Sequence, residues 1–316
     1  MLTRSRRPAP DRRGFSLIEL MVVIVLLGIV MGSILTVVTR QQRFYRGTRE
    51  VIETRSNVRQ GIDVLRAELR GVSSIGGDLY PGQMNETSIE FRSMTGSSMI
   101  CSIPSPSGQT LIAPPDGAMA SGAILSVWRS VPAVGDSVFV YDNGPDASTS
   151  DDSWTPIRSV RSVTPLVGAC GTTPFLGHGA VGKTGYAIGV QPPLPSTIQP
   201  GTPIRFFRRV RYELYQASDL RWYLGYSECR PTASPTCSPL EPVSGPYLPF
   251  AVSGGSGIGF YYFDVNGVQT TTPTQVARID VIVRGQSEQP VAVTGGGAQP
   301  HFLDTTRVAV GLRNRS

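Results

Sequence analysis

Glu19 is a single carboxylate inside a long apolar segment. Phe15–Val38 has 24 residues, and Glu19 carries its only charge. A carboxylate in a membrane-spanning helix costs roughly 2.5–3.5 kcal/mol at mid-membrane, and less near the interface, so such residues are rare and usually paired. A free amine on Phe15 would be a suitable partner, and cleavage after Gly14 would create it. These three residues therefore indicate processing followed by an ion pair.

A second motif that could do chemistry surrounds Lys183, the only lysine of the chain. Residues 177–184 fit G-x-x-x-x-G-K-[ST], the phosphate-binding loop. That loop needs a preceding strand and a following helix, whose N-terminal NH groups hold the phosphates. Gly185 and Pro192 instead predict a poor helix after the motif. We interpret the segment as a glycine-rich loop and expect no catalytic role for Lys183.

The four cysteines, Cys101, Cys170, Cys229 and Cys237, all lie far beyond the apolar segment. With two histidines and no CxxC pair, we expect no metal site, no cofactor and no triad-like catalytic arrangement. An even number of cysteines suits disulfides in a domain outside the cytoplasm. Three connectivities are possible; the short loop after a predicted hairpin favours Cys229–Cys237, which leaves Cys101–Cys170.

The apolar segment is long enough to cross a membrane. As a helix, its 24 residues extend about 36 Å, and a hydrocarbon core is about 30 Å thick. Residues 1–14 hold five arginines and one aspartate, so this leader should stay in the cytoplasm while the rest crosses. We expect a single-pass inner-membrane protein with its outer domain in the periplasm or on an extracellular filament. The rest of the chain carries only +2 of the net charge of +6, so we expect no nucleic-acid partner.

The junction itself, RGFSLIEL at residues 13–20, resembles the class III signal of type IV prepilins and type II secretion pseudopilins. The resemblance implies that a membrane peptidase cuts after Gly14 and that Phe15 is then N-methylated. It also implies that Glu19, the fifth residue of the mature chain, assists methylation and assembly. The implied partners are the prepilin peptidase/methyltransferase, the inner membrane and other pilins or pseudopilins in a filament.

The helical pattern continues beyond the membrane segment. Apolar residues recur at steps of three, four and seven on one helical face. They are Val51, Val58, Ile62, Leu65, Leu69 and Val72. We therefore predict a leader at 1–14, a helix at 15–70 with residues 15–38 in the membrane, and a β-rich globular domain at 71–316. The fold class is α+β and pilin-like: a long N-terminal α-helix packed on a large antiparallel β-rich domain.

Alternating apolar residues predict the strands of that domain. The predicted strands are Ser88–Ser93, Asp136–Tyr141, Pro203–Gln216, Leu220–Tyr226, Ile258–Phe263, Val276–Val283 and Arg307–Leu312. Residues 203–226 form a predicted hairpin, and Asn266-Gly267 is a tight-turn dipeptide. The segments predicted as loops are Pro104–Gly117, Gly144–Ser153 and Gln191–Pro203.

The C-terminal half resembles W-type minor pilins and J-type pseudopilins of type II secretion. The segments that carry the resemblance are Val210–Leu214, Ile258–Tyr262 with Asn266-Gly267, Val276–Val281 and Val310–Asn314. The resemblance implies a structural subunit near the filament tip, which helps to start or cap the filament, and not an enzyme.

Two other functions compete with this interpretation. The chain could be a surface adhesin or a DNA-uptake receptor that uses the pilin stem as a mount. It could also be a nucleotide-dependent enzyme that uses Lys183. The sequence does not separate adhesion, twitching, DNA uptake and secretion.

Overall fold

The computed structural model describes most of the chain. The described residues are 16–104, 107–118, 124–144, 153–154, 158–171, 177, 182–230, 236–252, 254–291 and 301–312. Gly14 and Phe15, the predicted cleavage site, lie outside them.

The first element is α1 (Leu17–Leu69), a continuous helix of 53 residues. The chain divides into two compact units, and the helix contributes to both. One unit is Met1–Glu53 with Ser287–Phe302, and the other is Thr54–Gln286 with Leu303–Ser316. The second half of the helix is amphipathic, and its buried residues recur every three or four positions, as predicted. They are Thr54, Val58, Gly61, Ile62, Leu65, Glu68 and Leu69.

Strands make up most of the rest of the described chain. They are β1 (Leu79–Met84), β2 (Ser88–Met99), β3 (Thr110–Ala113), β4 (Gly117–Ala118), β5 (Ile124–Trp128), β6 (Ser137–Asp142), β7 (Ser153–Trp154), β8 (Arg158–Val167), β9 (Thr184–Gln191), β10 (Pro203–Gln216), β11 (Trp222–Cys229), β12 (Glu241–Tyr247), β13 (Ile258–Phe263), β14 (Arg278–Pro290) and β15 (His301–Gly311). The pairs whose register is defined are antiparallel, for example β10 with β11 and β13 with β14. The predicted α+β class, a long helix on an antiparallel sheet, is confirmed.

The sheet is organised around β10. Its main path runs β13-β14-β12-β11-β10-β6-β8-β9-β3, with β15 beside β14 and β2 beside β10. Along one edge, β10 pairs with β2 from Pro203 to Glu213. Along the other edge it pairs first with β6, over Ile204–Phe207, and then with β11, over Arg209–Gln216. The two ends of this strand therefore face different neighbours, and each end contributes to a different core.

The first core lies between the second half of α1 and the C-terminal strands. Its buried residues are Val58, Ile62, Leu65, Leu69, Val72, Leu79, Ile89, Phe91, Val210, Tyr212, Leu214, Leu224, Tyr247, Ile258, Phe260, Tyr262, Val276, Ile279, Val281, Val283, Val310 and Leu312. The helix packs closely on the sheet at Gly285, where a Cβ atom would lie 3.1 Å from the Thr54 methyl group and clash with Val58. Gly285 lets the backbone of β14 approach the helix directly.

The second core lies on the side of β10 that pairs with β6. Its buried residues are Ile100, Leu111, Ala113, Val138, Val140, Val160, Ile188, Val190, Leu194, Ile198, Ile204 and Phe206. They come from β3, β6, β8, β9, the loop before β10 and the first residues of β10, together with Ile100 directly after β2. The helix contributes none of the residues of this second core.

A buried arginine lies where β10 changes partners. Arg208 follows the last residue paired with β6 and precedes the first residue paired with β11. Its guanidinium donates to Asp136 at 2.8 and 2.9 Å, and to Glu228 of β11 at 2.8 Å. Hydrogen bonding to Asp136 raises the pKa of Arg208 well above its usual value, although burial opposes the shift. The Arg208 guanidinium thus connects Asp136, directly before β6, with Glu228 of β11.

Several predicted boundaries need correction. The segment Pro104–Gly117, predicted as a loop, contains β3, which pairs with β9. The predicted strand Leu220–Tyr226 begins only at Trp222, because Leu220 has a positive φ of 64° within the hairpin turn. Most of the predicted loop Gly144–Ser153 lies outside the described residues.

Candidate assembly site

Glu19 lies in the first turn of α1 and is exposed. The first main-chain hydrogen bond of the helix runs from the Leu20 NH to the Ser16 carbonyl oxygen, at 3.1 Å. A carboxylate in the first turn interacts favourably with the positive end of the helix dipole. The position is also open to a cation supplied by another molecule.

The first half of α1 presents an apolar surface that the described chain does not cover. Large apolar side chains from Leu17 to Val38 are between 39% and 75% exposed. Among the described residues, one helix is long and apolar enough to cross a membrane, and none of its most apolar window is buried. An exposed apolar surface of this size marks contact with lipid or with other proteins.

Two hydroxyl side chains within this surface bond to their own helix. Ser33 donates to the carbonyl oxygen of Val30 at 2.7 Å, and Thr36 donates to that of Gly32 at 2.8 Å. Internal hydrogen bonds of this kind are what a hydrocarbon environment requires. The helix can therefore enter a bilayer, or a bundle of apolar helices, without unsatisfied hydroxyl groups.

The motif at Lys183 leads into a strand. Thr184, the next residue, begins β9 and pairs with Val167 of β8. The Lys183 carbonyl oxygen accepts a hydrogen bond from Gly168 at 3.2 Å. Residues 178–181 lie outside the described residues. Because NH groups after Lys183 join a sheet ladder, they do not form the helix N-terminus that a phosphate-binding loop requires.

Both favoured cysteine pairs are at disulfide distance. The Cα atoms are 3.9 Å apart in Cys229–Cys237 and 5.4 Å apart in Cys101–Cys170. Glu90 lies close enough to Cys229 and Cys237 to suggest a metal-ligand set. A disulfide has no thiolate to offer a metal, and the carboxylate of Glu90 already accepts hydrogen bonds from Arg209.

Four arginines just beyond the apolar segment belong to none of the sequence motifs discussed. Arg40, Arg43, Arg46 and Arg49 recur every three residues, and no carboxylate occurs from Thr39 to Arg49. All four are exposed. The signal that could have found them is this spacing, together with their place directly after the last apolar residues.

Comparison with known families agrees with the N-terminal motif. Residues 10–35 match the family described as the prokaryotic N-terminal methylation motif. This match, followed by an apolar N-terminal helix packed on an antiparallel sheet domain, shows a type IV prepilin-like protein. The motif is that of structural subunits, and the helix fits a membrane-anchored protein. Comparison with curated proteins and with solved structures found no match to this chain.

Proposed function

We propose that this chain is a minor pilin or pseudopilin of a type IV pilus or a type II secretion filament, and that it helps to start or cap the filament. It is cleaved after Gly14 and methylated at Phe15. The observation that carries the proposal is an uncovered apolar helix that begins within the methylation motif and has Glu19 in its first turn.

The apolar surface and the carboxylate of this helix suit contacts with lipid and with neighbouring subunits. In the membrane, lipid covers the apolar side chains; in a filament, the helices of neighbouring subunits replace the lipid. Glu19 then needs a cationic partner, because an unpaired carboxylate is costly among apolar side chains. Cleavage after Gly14 gives each mature subunit an N-terminal amine at about the same depth. We infer that Glu19 pairs with the amine of a neighbour.

The proposal of a minor subunit is supported by the positions of the segments that resemble other minor pilins and pseudopilins. The segments that resemble W-type and J-type proteins fall in or next to β10, β13, β14 and β15. Their buried residues line the first core, beneath the second half of α1. The resemblance therefore concerns the part of the domain that packs on the helix stem.

The second core supports a position at the end of a filament. Its residues lie outside the similar segments, so it enlarges the domain beyond the part that packs on the stem. A shaft subunit is enclosed by copies of itself, whereas a terminal subunit has a free side on which added structure is tolerated.

The test is made on filaments from the native host. Mass spectrometry of the chain in sheared filaments should find a methylated Phe15 at its N-terminus, in small amount relative to the shaft subunit. Deletion of the gene should reduce filament number, and a Gly14→Val variant that cannot be processed should not restore it. An intact leader in assembled material would refute the proposal. Normal filament number with loss of surface binding or DNA uptake would favour the adhesin or receptor alternative.

A further inference from the structure

Three of the four arginines beyond the apolar segment lack an ion-pair partner within the described chain. Arg49 pairs with Glu53 at 2.6 Å. Arg40, Arg43 and Arg46 are exposed, and among the described residues none of the three has an ion pair. Three unpaired cations within two helical turns repel one another, so this segment favours a negatively charged ligand.

Their distance from the apolar segment brings their side chains within reach of the headgroup layer. At a rise of about 1.5 Å per residue, Arg40, Arg43 and Arg46 lie about 3, 8 and 12 Å beyond Val38. The polar layer of one leaflet is about 5–8 Å thick. Helical side chains lean toward the helix N-terminus, which here means back toward the membrane. All three guanidinium groups can therefore reach the depth of the lipid phosphates.

Two aromatic residues lie among these arginines. Phe44 and Tyr45 are 71% and 70% exposed, and their rings meet edge to face at 6.1 Å between centroids. Exposed aromatic side chains are unfavourable in water but are favoured at the boundary between lipid tails and headgroups. The pair supplies an apolar contact at the same depth as the cations.

The first carboxylates of the helix after Glu19 lie beyond these arginines. A cavity of about 720 Å³ opens on this helix. It is lined by Arg43, Arg46, Gly47, Arg49, Glu50, Glu53, Glu288, Gln289 and Pro290. Glu50 accepts a hydrogen bond from the Gln289 NH at 3.1 Å and lies beyond the arginines along the helix. A phosphate at headgroup depth thus meets the cations first, while the carboxylates of the helix stay further out.

We propose that Arg40, Arg43 and Arg46, with Phe44 and Tyr45, form a binding surface for an anionic phospholipid in the non-cytoplasmic leaflet. The inference rests on the proposed function, because it requires the apolar segment to span a membrane with the leader in the cytoplasm. The phosphate accepts hydrogen bonds from the guanidinium groups, and the acyl chains cover the apolar helix. Such a lipid holds the subunit at a fixed depth until it leaves the membrane.

The test measures lipid binding to the full chain in detergent by native mass spectrometry. The probe is phosphatidylglycerol, with zwitterionic phosphatidylcholine for comparison. Arg40→Gln/Arg43→Gln/Arg46→Gln should weaken phosphatidylglycerol binding by at least about tenfold, because each basic residue near an anionic surface contributes about fivefold. The matched control is Arg59→Gln/Arg66→Gln/Arg70→Gln, which removes the same charge from exposed positions nearer the helix end. It should bind within about twofold of the unsubstituted chain.

Several results would overturn the lipid site. They are equal phosphatidylglycerol binding by both triple variants, equal binding of the two lipids by the unsubstituted chain, and displacement of the lipid by millimolar inorganic phosphate. Weaker self-association with unchanged lipid binding would assign the arginines to a neighbouring protein and overturn it as well. Leader cleavage and resistance to carbonate extraction are measured on the membranes from which the chain is purified. Their failure in the unsubstituted chain would refute the proposed function, whereas their success without selective lipid binding would refute only this inference.

Discussion

The hydroxyl group of Tyr247 in β12 donates a hydrogen bond to the main-chain carbonyl oxygen of Asn57 in α1, at 2.8 Å. The same hydroxyl lies 2.7 Å from the Ser244 Oγ, which can donate to it. Tyr247 is 4% exposed. This buried side chain therefore links the helix stem to the sheet through polar atoms.

We expect Tyr247→Phe to lower the free energy of unfolding by about 1–2 kcal/mol, because Ser244 loses a buried hydrogen-bond partner. The measurement is denaturant unfolding of the full chain in detergent. Tyr223→Phe is the matched control, since its hydroxyl bonds to the exposed Asp219 at 2.7 Å. It should change stability by less than about 0.5 kcal/mol. Equal losses in both variants would contradict a specific role for the link between helix and sheet.

Alkaline pH should remove the advantage of Tyr247 over phenylalanine. Burial raises the pKa of Tyr247 to about 12, with the hydrogen bond to Ser244 acting the other way. A group whose pKa is raised on folding contributes stability below its unfolded pKa of about 10 and loses it as pH rises through the folded value. The stability difference between the unsubstituted chain and Tyr247→Phe should therefore shrink between about pH 10 and pH 12. A difference that stays constant over this range would contradict the assignment.

Gly61 is the helix residue that allows Tyr247 to approach. A Cβ atom there would clash with the Tyr247 hydroxyl and lie 3.2 Å from the Ser244 Oγ. In an exposed helix, Gly→Ala stabilises by up to about 1 kcal/mol. Here we expect Gly61→Ala to destabilise the fold, as measured by thermal unfolding. The double variant Gly61→Ala/Tyr247→Phe should recover part of the loss, because the nearest atom of the clash is gone; independent, additive losses would argue against the contact.

Sequence periodicity could predict which face of the helix is buried, but not what that face meets. Val58, Leu65 and Leu69 follow a local rule, and all are fully buried. By propensity alone, Gly61 is a weak helix position. A glycine is required at this position because Tyr247 of β12, far along the chain, contacts the helix there. Which strand meets the helix depends on the arrangement of the whole sheet. The sequence alone could not supply that partner.

The same dependence on distant partners explains which strands could be predicted from sequence. The β10–β11 hairpin was predicted because its apolar residues alternate on both sides of a short turn, and Tyr212 does pair with Tyr226. The strand β9 was not among the predicted strands; it contains Gly185 and Gly189, and glycine is typical of loops. In the structure Gly185 packs against Ala169, and Gly189 against Ser162, where a side chain would clash. Glycines required by close strand packing cannot be distinguished from loop glycines in a single sequence.

The disulfides should differ in their effect on stability. The sequence separation is 8 for Cys229–Cys237 and 69 for Cys101–Cys170. Because a longer closed loop restricts the unfolded chain more, the second bond should contribute about 2 kcal/mol more than the first. Non-reducing peptide mapping establishes the pairing, and guanidinium unfolding of the two double-serine variants gives the comparison. A mapped Cys101–Cys229 or Cys101–Cys237 peptide would refute the pairing, and a larger loss in the Cys229/Cys237 variant would refute the loop-length argument.

The N-terminal motif can be recognised from sequence, because its residues are neighbours in the chain. Gly14, Phe15 and Glu19 form one short motif, and residues 10–35 carry the matching family signature. The arginines from Arg40 to Arg49 form no such motif. Their position is informative only when the helix is placed in a membrane, because their distance from the apolar segment then determines their depth.

Glu19→Ala should leave the chain in the membrane and prevent its entry into filaments. The substitution removes a charge whose insertion costs up to about 2.5–3.5 kcal/mol, so membrane insertion does not suffer. It also removes the partner that we propose for a neighbour's N-terminal amine. The measurement compares the chain in membranes and in sheared filaments, with Glu53→Ala as the control. Glu53 lies on the same helix in an exposed pair with Arg49, and such pairs contribute little. Incorporation of Glu19→Ala at the level of Glu53→Ala would show that the carboxylate has no part in assembly, even if leader cleavage were normal.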